Sequence, residues 1–111
     1  MKLGTRSLLA TVTLATALAG APAARAADQG ITDTAIKIGM HTSQTGPVAV
    51  FGLAYERAAR LVLDKVNAAG GVNGRKIDLI VEDDRSDPGA GVAAVTKLID
   101  RDQVFLIYGG P

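Results

Sequence analysis

Val104-Phe105-Leu106-Ile107-Tyr108 is an unbroken apolar run near the end of the 111-residue chain. Strands buried on both faces of a sheet read this way, and such strands belong to parallel α/β folds. Immediately before it, Asp87-Pro88 opens a helical pattern with Val92, Val95, Leu98 and Ile99 on one face. Asp is a good N-cap, and Pro fits the first helical position. Further back, residues 77–82 form a second strand around Leu79-Ile80-Val81. Asn73-Gly74 marks a turn before it. Gly70-Gly71 stops another helix over residues 49–69, because glycine takes the left-handed C-terminal geometry without steric cost. That helix carries Phe51, Ala54, Ala58, Leu61, Val62 and Val66 at spacings of three and four. Glu56, Arg57, Arg60 and Asp64 fall largely off that face. Ile36-Lys37-Ile38-Gly39-Met40 alternates like a first strand, and residues 27–35 form a polar leader into it.

The pattern is β-α-β-α-β. Strands alternating with helices imply parallel pairing and right-handed crossovers. The expected fold class is α/β, a partial Rossmann-like lobe with parallel strand order 2-1-3. The third strand is then an edge, and its helix partner would begin where Gly109-Gly110-Pro111 ends the sequence. An unpaired edge and a small core predict marginal stability or aggregation for residues 27–111.

The first residues have a different character. Lys2 and Arg6 precede an apolar stretch over residues 8–19, and Ala24-Arg25-Ala26 follows. A basic start, a short apolar region and an A-x-A site describe a secretory signal peptide, with cleavage expected between Ala26 and Ala27. The apolar stretch is shorter than the roughly 20 residues a spanning helix needs, so no stable membrane insertion is expected after cleavage. Residues 1–26 are therefore the signal and 27–111 the domain. The whole chain carries 12 basic and 11 acidic residues. Removing Lys2, Arg6 and Arg25 leaves nine basic residues, a mature net charge of −2. The basic residues are scattered among acids, which argues against nucleic acid as a partner. With no Cys there is no disulfide framework, thiolate metal site or lipid anchor.

In open parallel sheets, ligands bind beyond the carboxyl ends of the strands. Three segments belong there: His41-Thr42-Ser43-Gln44-Thr45-Gly46, Glu82 to Asp87, and Gly109-Gly110-Pro111. The first supplies hydroxyls, an amide and the approach to a helix N-terminus, whose free N–H groups favour an anion. Several motifs are decoys. Asp83-Asp84-Arg85-Ser86-Asp87 spells the D-D-x-x-D of diphosphate-binding enzymes, but it follows a strand and leads into Pro88. Acids closing a strand, one of them capping a helix, account for it. Glu82-Asp83-Asp84 also resembles the acid pair of receiver domains, yet Asp100 and Asp102 lie at a helix end, where no phosphoacceptor belongs. Gly70 to Lys76 lacks P-loop spacing and order. His41, the one histidine, reads as a solvated loop residue, and no metal or other cofactor is expected.

Four segments occur in order: Ile36-Lys37-Ile38-Gly39, Thr45-Gly46-Pro47-Val48-Ala49, Asn67-Ala68-Ala69-Gly70-Gly71-Val72-Asn73-Gly74-Arg75-Lys76, and Glu82-Asp83-Asp84-x-x-Asp87-Pro88. Together they resemble the amino-terminal part of the leucine/isoleucine/valine-binding family, the periplasmic solute-binding proteins of branched-chain amino-acid-type ABC importers. The resemblance implies the amino-terminal lobe of a type I periplasmic binding protein. It implies a bilobed protein that captures a small amino acid or amide in a cleft and docks on a membrane permease, without enzymatic activity. Phe51 resembles the family's aromatic position after T-G-x-x-A, which often packs on the solute, although its helical spacing with Ala54 and Ala58 is that of core packing. Gln44 and Thr45 approach the cleft, and Gly109 and Gly110 begin the segment that holds the solute's carboxylate and amine. The family's chains are several times longer, so the expectation is a truncated lobe. The alternatives are a ligand sensor of the same fold, a truncated product without function, and a small metal-using enzyme built on the acidic loop.

Overall fold

The computed structural model describes residues 28–109. The expected signal peptide with its Ala26–Ala27 junction, and Gly110 and Pro111, lie outside the described residues. The elements run β1 (Ala35–Thr42), α1 (Ala49–Ala68), β2 (Lys76–Asp83), α2 (Pro88–Asp100) and β3 (Leu106–Gly109). All strand pairing is parallel, and the order is β2-β1-β3. This is the expected α/β lobe.

The two helices cover opposite faces. Ile38 and Tyr108 line one groove with Tyr55, Ala58, Ala59, Val62 and Leu63 of α1. Gly39, the next residue of β1, lies against Leu98 of α2 and Val104. Successive strand residues point to opposite faces, so α1 and α2 must sit on different sides. One crossover moves outward to β2 and the other returns past β1 to β3. Helices on opposite faces are what two crossovers of the same hand require.

Local signals act as their chemistry dictates. The Asp87 side chain accepts from the Ala90 N–H at 2.8 Å and caps α2, with Pro88 first in the helix. Gly70 and Gly71 have φ of 108° and 79°, and the Gly71 N–H returns to the Val66 carbonyl at 2.9 Å. Asn73 (φ 50°) and Gly74 (φ 80°) form a two-residue turn closed by reciprocal bonds between Val72 and Arg75. Asn67 then clamps the chain as it enters β2. Its side-chain NH₂ donates to the Ile77 carbonyl at 2.8 Å, and its side-chain oxygen accepts the Ile77 N–H at 2.7 Å.

The core is small: Met40, Ala94, Leu98 and Val104 are its buried apolar residues among those described. Three expectations need correction. First, β3 begins at Leu106 rather than Val104. Val104 is pinned by its N–H to the Leu98 carbonyl and packs in the core, and Phe105 bonds Lys37 while turning outward. As an edge strand, β3 is half-covered rather than buried on both faces. Second, α1 does not bury its large apolar stripe. Phe51 is 64% exposed, Leu61 61% and Val62 59%. The helix instead presses Gly52 onto the sheet end, where a β-carbon would strike the Ser43 carbonyl. Small residues permit this close approach, and the large ones are turned toward β3 and outward. Third, on α2, Val92 is 69% exposed, and Ala94 and Leu98 form the buried contact.

Candidate functional site

Parallel pairing places Thr42 opposite Asp83 and His41 opposite Glu82, so the ends of β1 and β2 finish side by side. The two loops leaving them are joined by carboxylates. Asp83 Oδ1 accepts the N–H groups of Gln44 (2.8 Å), Arg85 (2.9 Å) and Thr45 (3.2 Å), and its Oδ2 accepts the Thr45 hydroxyl at 2.6 Å. Asp84 is buried. Its Oδ1 accepts the Ser43 hydroxyl at 2.5 Å and the Ser86 N–H at 3.1 Å, and its Oδ2 lies 3.2 Å from His41 Nδ1. The loop after β1 is thus tied to the loop after β2 by two side chains of the second.

These bonds set the acidity of both groups. The Thr45 hydroxyl, assisted by three backbone N–H groups and opposed by partial desolvation, holds the Asp83 carboxyl below its ordinary value. For Asp84, burial works to raise the value, but the Ser43 hydroxyl, the Ser86 N–H and His41 outweigh it and the net direction is down. Hydrogen bonds that favour the ionised form produce this. Gln44 reaches a third carboxylate: its amide donates to Glu56 Oε2 at 2.7 Å, while Arg60 Nε donates to Oε1 at 2.8 Å. The Gln44 amide, then Arg60 and Arg57, hold Glu56 below its ordinary value against desolvation. Glu56 therefore belongs to the sheet-facing side of α1, not to the outer side its charge suggests.

Gln44 and Thr45 are brought together on Asp83. Phe51 lies in the first turns of α1, exposed, so it is not a core residue. Gly109 is opposite His41 across β1 and β3, with the imidazole over it so closely that a β-carbon would strike Nε2. Gly110 lies outside the described residues. His41 is corrected from loop to strand: it is within β1, partly buried and bound to Asp84. Sequence reasoning missed Ser43, Asp83 and Asp84 as the groups that set the loops. The usable signal was register, since pairing the two strands from their first residues puts positions 41–43 beside 82–84.

The helix α1 starts at this end without a side-chain cap, Val48 being its N-cap residue. Helix starts carry N–H groups without intrahelical partners. Backbone N–H groups at such a start can orient a small polar molecule, while the Gln44 amide and the Thr45 hydroxyl already donate to Glu56 and Asp83. Among the described residues no three His, Cys, Asp or Glu side chains are placed to hold a metal ion, and no helix is long and apolar enough to cross a membrane.

A doubly wound parallel sheet with pinned loops at its carboxyl edge has the lobe architecture in which open α/β sheets place their ligands. A family model described as periplasmic binding protein matches residues 35–111, and the chain belongs to that family. An amino acid binding protein of Pseudomonas aeruginosa is 39% identical over 74 residues, 67% of this chain and 20% of that protein. The branched-chain amino acid transporter substrate-binding protein LivJ of Streptococcus pneumoniae, solved with isoleucine, aligns with a TM-score of 0.67 and 32% identity. That alignment covers 70% of this chain and 22% of LivJ. A fatty acid ABC transporter substrate-binding protein of Thermomonospora curvata gives a TM-score of 0.69 and 37% identity over 73% of this chain and 20% of its own. The chain spans about a fifth of the length of these relatives.

Proposed function

We propose that the chain is the amino-terminal portion of an extracytoplasmic solute-binding component of an ABC importer. It is exported with cleavage after Ala26, and its solute is a branched-chain or related small amino acid or amide. The observation that carries the reading is the pinned pair of loops at the carboxyl edge of the sheet, in a member of the periplasmic binding protein family. Gln44, Thr45, Phe51, Gly109 and Gly110 line the solute side. The polar character of that edge favours an amino acid over an acyl chain, which would need an apolar lining. The closed, solute-loaded form docks on a membrane permease, and no catalytic step is assigned.

Deleting the gene from its host and following uptake of labelled leucine, isoleucine and valine tests this. Uptake of at least one should fall, and the exported product should begin at Ala27. Undiminished uptake of all small amino acids would contradict the importer reading. A changed transcriptional response to the solute with normal uptake would point instead to a sensor.

A further inference from the structure

Besides the buried Thr42 hydroxyl, a second polar atom at the carboxyl edge is engaged by nothing among the described residues, Nε2 of His41. His41 Nδ1 lies 3.2 Å from Asp84 Oδ2. Asp84 is only 8% exposed, and its other oxygen already accepts from Ser43 and Ser86. An ionised carboxylate only accepts, so the hydrogen between the two belongs to the imidazole. With Nδ1 donating to Asp84, the neutral form of the ring has Nε2 as its acceptor. Nε2 makes no hydrogen bond to a described residue, and its side chain is 29% exposed. The ring edge lies over Gly109, where a β-carbon would strike it.

The other charged groups near the ring are committed elsewhere. Glu82, beside His41 in register, pairs with Lys97 of α2. Lys97 also approaches Asp102 at 3.5 Å. The pair His41–Gly109 joins β1 to β3. Between these strands the winding reverses, since α1 leaves toward β2 on one face and α2 returns on the other. That switch point is where open α/β sheets place their ligands.

We propose that His41 is a solute-contacting residue: Asp84 fixes its tautomer, and Nε2 accepts a hydrogen bond from the protonated amine of the solute. This rests on the amino-acid reading above and adds the atom that recognises the amine. Asp84 is then a positioning residue, and Gly109 keeps the approach open.

The test uses the full chain labelled with ¹⁵N in the imidazole, with L-leucine as probe. Long-range ¹H–¹⁵N spectra should show Nδ1 protonated and Nε2 bare, and leucine should move the Nε2 resonance. His41→Asn keeps a donor toward Asp84 but lacks the Nε2 position. It should bind L-leucine about tenfold more weakly, the loss of one hydrogen bond to a charged group. Binding of 4-methylpentanoate, which lacks the amine, should be unchanged by the same substitution. A proton on Nε2 in the free protein would overturn the proposal. So would a static Nε2 resonance while the Gln44 and Thr45 amides respond to leucine, although the amino-acid reading would survive. Silence of all these amides toward a panel of small amino acids would overturn both.

Discussion

The carboxyl edge of β1 and β2 and the flank between α1 and β3 are built from opposite materials. At the edge, nearly every polar group has its partner inside the chain, and Asp83 and Asp84 alone receive seven contacts, from four backbone N–H groups, two hydroxyls and the His41 imidazole. On the flank, Tyr55, Ala58, Ala59, Val62 and Leu63 face Ile38 and Tyr108 across an open apolar groove of about 370 Å³. Tyr55 and Tyr108 meet with ring centroids 6.1 Å apart, and burial with Tyr55 nearby raises the Tyr108 phenol. The edge is complete as a polar network, whereas the flank presents apolar surface to solvent. Hydrogen bonds are satisfied by a few atoms at fixed positions, while apolar burial needs a whole covering surface. The described segment supplies the first and not the second.

Acid should have the largest effect on the edge, because it acts on both pins together. The Asp83 and Asp84 carboxyls are lowered in the folded state. A depressed folded value means that their contribution is present above the unfolded value, about 3.9 for Asp, and is lost as pH falls through the folded values. The thermal midpoint should therefore be flat above about pH 5 and drop below about pH 4. A midpoint that rose on acidification would break the comparison.

Asp84→Ala comes next. It leaves Ser43, Ser86 and His41 without their acceptor and should cost about 3 kcal/mol in urea unfolding. Gly52→Ala follows: helix propensity would favour the alanine by up to about 1 kcal/mol. The new methyl would meet the Ser43 carbonyl, so a net loss of about 2 kcal/mol is expected. A gain in stability would show that α1 does not press on the edge.

Thr42→Val probes the buried gap in the polar network. Thr42 is fully buried, and its hydroxyl is the buried side-chain oxygen without a partner among the described residues. Removing it should stabilise by about 1 kcal/mol, because no hydrogen bond is lost and a buried polar group is removed. On the flank, Val62→Gln should change unfolding by less than about 0.5 kcal/mol, as for exposed positions generally, while reducing self-association by light scattering. A loss of several kcal/mol would mean that the flank is covered in solution.

The elements themselves were legible because their signals are local. Asp87-Pro88 caps α2, Gly70-Gly71 ends α1 and Asn73-Gly74 turns into β2 within a few residues of chain. The face of α1 was misread because periodicity weighs side-chain size, and the contact is set by close approach of Gly52. The apolar residues at 51, 61 and 62 look like core but are left largely exposed. Asp83 and Asp84 read correctly as strand-closing acids. Their partners Ser43, Gln44 and Thr45 are some 40 residues away, and only parallel register joins them. The role of His41 was hidden for the same reason.

Amide hydrogen exchange resolved by residue tests the contrast most directly. The Gln44, Arg85 and Ser86 N–H groups lie in loops, where exchange is ordinarily fast, yet each is bonded to a fixed carboxylate. They should exchange as slowly as the β1 and β2 amides and more slowly than the edge strand β3. Fast exchange of these three with strong protection in β3 would contradict a carboxylate-pinned edge beside an open flank.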